Sequence, residues 1–128
     1  MKFLLDTHAF LWWIGDDARL SPTAKDTISD ANNDIFFSVV SAWEMAIKLQ
    51  SGKLSLKDDL RNFLKKNIGS NHFSVLPISL AHTLQSTTLR SVHRDPFDRM
   101  LIAQAKTEKM QLITRDPEIA KYTVSILW

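Results

Sequence analysis

Four carboxylates, Asp6, Glu44, Asp98 and Asp116, stand where folding alone explains a charge poorly, each at the end of an apolar strand or on an apolar helix. They are spread over nearly the whole chain, so only a tertiary fold can bring them together. Several acids in one place repel unless a proton or a cation joins them. The pattern points to a site for Mg²⁺ or Mn²⁺, ions that prefer hard oxygen ligands, with room for one or two of them. The chain has no cysteine, which removes disulfides, thiolate catalysis and Cys-type zinc sites together, and its four histidines form no HxxxH pair.

Each acid also has an ordinary structural reading. Asp6 could cap a helix starting near Thr7, and Asp116-Pro117-Glu118 is a good N-cap signature. In Asp95-Pro96-Phe97-Asp98, Asp95 is the natural N-cap, Pro96 the first helical residue and Asp98 an acid at the third position. Capping is the reading adopted for Asp95. Asp98 shares a helix face with Ile102 and Ala105, which points it inward along an apolar stripe. Glu44 is one of three glutamates and lies within the apolar segment from Val39 to Ile47. A salt bridge to Lys48 at i,i+4 is its bland alternative. What favours chemistry is that all four exceptions fit one site in one architecture.

That architecture follows from apolar periodicity. Lys2 to Leu5, Ile35 to Ser38, Phe73 to Leu76, Gln111 to Thr114 and Thr123 to Leu127 read as strands, being short, β-branched or aromatic, and bounded by polar residues. Helices lie between them. Ser21-Pro22 supplies an N-cap and a first helical residue, Ser41 precedes a helical run over Ala42 to Leu49, and Gly52 follows where a C-cap glycine belongs. Asp58 to Ile68 is amphipathic and expected to end at Gly69; Ser79 to Leu89 is weaker. Strands alternating with helices imply an α/β fold with a mainly parallel five-stranded sheet covered on both faces. Ligands of such sheets bind beyond the carboxyl ends of the strands, and Asp6 and Asp116 should both emerge at that rim.

At 128 residues and 45% hydrophobic content, the chain suits one packed domain over residues 1–128. No apolar run approaches the roughly 20 residues that span a bilayer, and Asp6 interrupts the apolar N-terminus before it could serve as a signal peptide. A cytoplasmic location without membrane attachment is expected. The formal charge of +2 and a pI near 9.0 are compatible with nucleic acid without demanding it. Lys48, Lys53, Lys57, Arg61, Lys65 and Lys66 read as a solvated basic face, whereas Arg90, Arg94, Arg99 and Arg115 accompany the last two acids.

Four segments together resemble a known family: Phe-Leu-Leu-Asp-Thr-His-Ala-Phe-Leu-Trp at 3–12, Ser-Ala-Trp-Glu-Met-Ala-Ile-Lys at 41–48, His-Arg-Asp-Pro-Phe-Asp-Arg-Met-Leu-Ile-Ala-Gln-Ala at 93–105, and Leu-Ile-Thr-Arg-Asp at 112–116. In order, spacing and chain length they are similar to the PIN domain, specifically the VapC-type toxins of toxin-antitoxin pairs. The resemblance implies a single PIN-like domain with strand order 3-2-1-4-5 and a metal-dependent endoribonuclease activity. It carries the family's four acids onto Asp6, Glu44, Asp98 and Asp116 as metal ligands and catalytic groups, and assigns Thr7 and Thr114 as supporting hydroxyls. Asp95 lies in the same motif as Asp98, and the stretch that follows selects Asp98. RNA would be hydrolysed by water activated at the ions, leaving a 5′-phosphate. Arg94, Arg99, Arg115, His8 and His93 are candidate substrate contacts, or else structural bridges to the acids.

Trp12, Trp13, Trp43 and Phe10 crowd the first and third helices, with Phe36 and Phe37 nearby. Core packing explains at least half of them. By the same resemblance, the others would line a groove for a cognate antitoxin, and the chain would form a homodimer. Two other classes stand beside the nuclease. A phosphoacceptor receiver domain would need an acidic pair after the first strand and a Lys after the last, neither of which is present. A catalytically inactive PIN-like module binding RNA or protein would account for the basic segment and aromatics but leave Glu44 and Asp98 without a role.

Overall fold

A computed structural model describes residues 1–89 and 95–128. Arg90, Arg94 and His93 lie outside the described residues. Five strands form the sheet: β1 Lys2–Leu5, β2 Asp34–Ser38, β3 Ser74–Leu76, β4 Gln111–Ile113 and β5 Ile126–Leu127. Their order is β3-β2-β1-β4-β5 and every pairing is parallel, as expected for strands linked by helical crossovers. Six helices flank them among the described residues: α1 Thr7–Ile14, α2 Pro22–Ser29, α3 Val39–Gln50, α4 Leu60–Ser70, α5 Leu80–Ser86 and α6 Pro96–Glu108. None of the described helices is long and apolar enough to cross a membrane.

The central strand shows why both faces must be covered. Phe3, Leu4 and Leu5 are all buried, at 3% exposure or less, and successive side chains point to opposite faces. Phe3 and Leu5 join Phe10, Phe37, Met45 and Phe73 on one side. Leu4 joins Val40, Leu101, Ile102 and Leu112 on the other. Each fully buried side chain of this size contributes about 1.5–3 kcal/mol through removal from water.

Register sets the rim. Leu5 pairs with Phe37 on one side and with Ile113 on the other, so the next residues, Asp6, Ser38 and Thr114, emerge together at the carboxyl edge. The backbone amide of Asp6 extends the ladder by donating to the Ile113 carbonyl at 3.1 Å. At the opposite edge α6 runs through Lys109, in the left-handed conformation at φ 57°, directly into β4. With α6 thus anchored at the amino edge, its N-terminal turn, carrying Asp95 and Asp98, lies three turns away toward the carboxyl edge.

Several boundaries differ from those read in the sequence. α3 begins at Val39, with Ser38 as N-cap through a side chain that accepts from the Val40 amide; Ser41 lies inside the first turn and is not the cap. Gly52, at φ 75°, takes the left-handed turn after α3, as expected of a residue without Cβ. α4 runs from an Asp59 N-cap to Ser70, past Gly69, because the left-handed residue that ends this segment is His72 at φ 56°. α5 is shorter than the Ser79 to Leu89 pattern. The strand expected at Thr123 to Leu127 is reduced to Ile126–Leu127, since the chain first makes a 3-10 turn over Ile119–Lys121 that buries Ile119 and Tyr122.

A buried polar network ties the rim to the helices. Ser38 donates to Gln104 Oε1 at 2.5 Å, and Gln104 Nε2 donates to the Pro77 carbonyl at 3.3 Å. His82 Nδ1 accepts from the Ser79 amide in a capping box, which leaves Nε2 to donate to Glu108 at 2.7 Å. These contacts join β2, α5 and α6, the elements behind the acids.

Candidate active site

The site is assembled from strand ends and first turns of helices. Asp6 is the residue after β1 and the N-cap of α1, where its Oδ1 accepts from the Ala9 amide at 2.7 Å. Capping therefore accounts for one of its oxygens, and the Thr114 hydroxyl also bonds the carboxylate. The side chain is buried, at 6% exposure, and its pKa is pushed up from 3.8 to about 6. Burial is the main cause, reinforced by the charges of Glu44 and Asp116, while the Thr114 hydroxyl and the Ala9 amide oppose the shift. Asp6 thus feels the charges of Glu44 and Asp116, both remote from it in sequence.

Glu44 is buried on α3 at 3% exposure. Its Oε1 accepts from the Thr7 hydroxyl at 2.6 Å, and the same hydroxyl lies 2.9 Å from that of Ser41. Its Oε2 is paired with Lys48, the bond anticipated as the bland alternative. Asp116 follows β4 by two residues. Its Oδ1 accepts from the Glu118 amide at 2.9 Å, and its own amide donates to the Thr114 hydroxyl at 3.1 Å. Thr114 serves both acids, and Thr7 serves Glu44. The helix expected after Asp116 is only the short 3-10 turn.

Asp95 is the N-cap of α6, its Oδ1 accepting from the amides of Phe97 at 2.9 Å and Asp98 at 3.2 Å. Asp98, half-buried on the first turn, is placed at the same edge of the sheet by the helix. The Arg99 guanidinium donates to the carbonyls of Ser86 and Leu89 and to the Tyr122 hydroxyl, each at 3.3 Å. It ties α6 to the end of α5 and to the 3-10 turn.

A cleft of about 370 Å³ opens over Asp6 and Asp116, lined also by His8, Trp12, Arg19, Arg115 and Pro117. Arg19 had no signal in the sequence, lying in the loop after α1 with only Asp17 beside it. Trp12, expected at a partner groove, lines this cleft as well. Ser41, on the same helix face as Glu44 at i,i+3, was legible in principle.

Among the described residues no three acids or histidines converge closely enough to share one ion in this arrangement; Glu44 is held by Lys48 and Thr7, and Asp6 by its capping bond. The donor chemistry nevertheless fits a hard divalent cation. All candidate ligands are carboxylate oxygens, and Asp6 is a buried acid with no cationic partner among the described residues. To serve as a ligand, Glu44 would have to exchange its Lys48 partner.

A model of the PIN domain matches residues 3–124. The chain belongs to the PIN domain family. This PIN domain is 25% identical over 120 residues to Ribonuclease VapC22 of Mycobacterium tuberculosis, covering 93% of this chain and 90% of that protein. Among solved structures, VapBC2 from Rickettsia felis bound to a promoter DNA fragment superposes with a TM-score of 0.74 at 16% identity, covering 99% of this chain and 98% of that one. VapBC-1 from nontypeable Haemophilus influenzae gives 0.66 at 16% identity, with 99% and 97% covered. A toxin-antitoxin complex from Klebsiella pneumoniae gives 0.64 at 19% identity, with 98% and 95% covered. At these identities the superpositions establish the PIN fold.

Proposed function

We propose that this PIN domain is an Mg²⁺- or Mn²⁺-dependent endoribonuclease acting as the toxin of a toxin-antitoxin pair. The observation that carries the reading is the buried Asp6, its pKa raised to about 6 beside Glu44 and Asp116 at the carboxyl rim. The similarity to a VapC ribonuclease supports the substrate class. Asp6, Glu44, Asp98 and Asp116 would hold one or two ions. The bound ions would neutralise charge at the scissile phosphate and activate water for its attack.

The chain's own groups define the remaining roles. Thr114 bonds the Asp6 carboxylate and Thr7 that of Glu44, which holds these two acids in place without rotamer search. Asp6 must be ionised to act as a ligand, and its raised pKa of about 6 in the ion-free protein makes cation binding weaken as pH falls through that range. His8 and Arg115 face the same cleft and suit contacts with phosphate oxygens; Arg94 and His93 retain that role as proposals. Water attack on phosphorus leaves a 5′-phosphate, and a 2′,3′-cyclic product would refute it.

A groove of about 460 Å³ adjoins the cleft between α1, α3 and the segment around Leu54 and Leu56, with Lys48 and Lys53 at its margin. It is suited to an apolar segment of an antitoxin, a reading supported by the VapBC structures and the toxin-antitoxin complex among the structural relatives. A homodimer belongs to the same reading.

The Glu44–Lys48 pair favours a second reading, an inactive PIN-like binding module in which the ammonium permanently replaces the ion. The two are separated by incubating the purified, partner-free protein with mixed single-stranded and structured RNAs in Mg²⁺, Mn²⁺ or EDTA. Cutting that requires the cation, survives in Asp95→Asn and disappears in Asp6→Asn and Asp98→Asn establishes the nuclease. No cutting, with no cation binding by calorimetry, leaves the binding module.

A further inference from the structure

Two guanidinium groups meet at one ring in the cleft. The Arg115 guanidinium carbon lies 4.6 Å from the centroid of Trp12 and that of Arg19 lies 4.9 Å from it, both within cation–π range. The indole is itself held in place. Trp128 packs edge-on at 5.9 Å and His8 lies tilted at 5.6 Å, while α1 seats the residue against the core.

The two arginines are not equivalent. Arg19 donates from Nε to Asp17 Oδ1 at 3.1 Å and from Nη2 to Oδ2 at 2.7 Å, so its charge is matched and its fork is engaged. Arg115 is exposed, and among the described residues its N–H groups have no hydrogen-bond acceptor. It stands one residue before Asp116, on the wall of the cleft that contains Asp6 and Asp116. Guanidinium offers five donors in a planar fork that matches phosphate in two-point fashion. A side chain this long ordinarily loses rotamer freedom on gripping a ligand; one already stacked on a ring has lost part of it beforehand.

We propose that Trp12 is a pedestal that pre-orients Arg115 to grip a backbone phosphate of the RNA strand crossing the cleft, with the Arg19–Asp17 pair bracing the ring. Arg115 makes the contact, and Trp12 is a positioning residue acting through it. The contact reads the backbone and not the bases, so it sets affinity without setting cleavage sequence. The proposal deepens the ribonuclease reading and rests on it.

The test is a two-by-two cycle of Trp12→Leu and Arg115→Gln, with Arg115→Lys and Trp12→Phe alongside. KM and kcat are read on a fluorescent single-stranded RNA with Mn²⁺, and affinity for the same RNA is read across salt. Arg115→Gln should raise KM about tenfold with kcat within about twofold, the pattern of a lost binding contact. The slope of log affinity against log salt should fall by about 0.7, the value for one phosphate contact on a single strand. Arg115→Lys should recover the slope but only part of KM. Trp12→Leu should raise KM about fourfold with Arg115 present and less than about twofold without it, because coupled residues do not add. Equal factors in both backgrounds would make Trp12 merely structural and overturn the pedestal. Unchanged KM and slope in Arg115→Gln would overturn the grip. Should Trp12→Leu lose its cooperative melt, the cycle is read with Trp12→Phe, whose smaller ring should give a weaker effect of the same dependence on Arg115. If the wild type cuts RNA and these variants behave as wild type, this inference alone falls; if the wild type neither cuts nor binds RNA, the ribonuclease reading falls with it.

Discussion

Replacing Asp6 by Asn should stabilise the cation-free protein near neutral pH while abolishing its activity. Asn keeps the shape and the capping oxygen for the Ala9 amide but carries no charge. In the unfolded chain the Asp6 carboxyl titrates at its ordinary 3.8, and in the fold at about 6. At about 1.4 kcal/mol per pKa unit, that difference amounts to about 3 kcal/mol. The direction follows from which state binds the proton more tightly. Here the folded state does, so the stabilisation is complete below 3.8 and is lost as pH rises through about 6. Urea unfolding in EDTA, wild type beside Asp6→Asn, should show the difference between them growing by about 2 kcal/mol from near pH 4.5 to near pH 7.5. Titrating groups that do not interact with Asp6 are common to both proteins and cancel. Added Mn²⁺ should then raise the stability of the wild type and leave Asp6→Asn unmoved, because only a ligand bound to the native state stabilises it. Parallel pH profiles for the two proteins would refute the argument, since they would mean that Asp6 neither lacks solvent nor feels the other acids.

Thr114→Val removes the hydroxyl that lowers the Asp6 pKa, so the pH midpoint for cation binding, followed by calorimetry, should move upward. Thr7→Val deprives buried Glu44 of a hydrogen bond and should cost about 1.5–3 kcal/mol in urea unfolding, the range for bonds to charged groups. Asp95→Ala should cost about 1 kcal/mol through loss of the α6 cap and retain RNA cleavage, whereas Asp98→Asn should fold normally and cut nothing. Gln104→Ala breaks the bonds to Ser38 and Pro77 in a fully buried position and should lower stability by about 2–4 kcal/mol through the cavity and the unpaired partners.

The sequence alone determined the kind of fold, because apolar periodicity, caps and Pro positions are local properties. β1 was legible to the residue, and the Ser21-Pro22 and Asp95-Pro96 caps stand as their local chemistry dictated. Asp6 and Asp116 were expected at one rim because each follows a strand of a parallel sheet, and the aligned ends of β1 and β4 place them there. Local signals failed where tertiary contacts decide. Ser38 starts α3 in place of Ser41 because β2 ends at the rim and its hydroxyl serves both Val40 and the distant Gln104. The last strand is short because the chain first turns through residues 119–121, where Ile119 and Tyr122 are buried against the core. The site divides in the same way. Residue types and spacing pointed to the four acids, whereas the charges that raise the Asp6 pKa come from residues 38 and 110 positions away, and the Arg19, Trp12 and Arg115 stack joins three segments with no shared pattern. Electrostatic coupling and ring stacking depend on distances through space, which no local signal encodes, and only the packed sheet and helices set them.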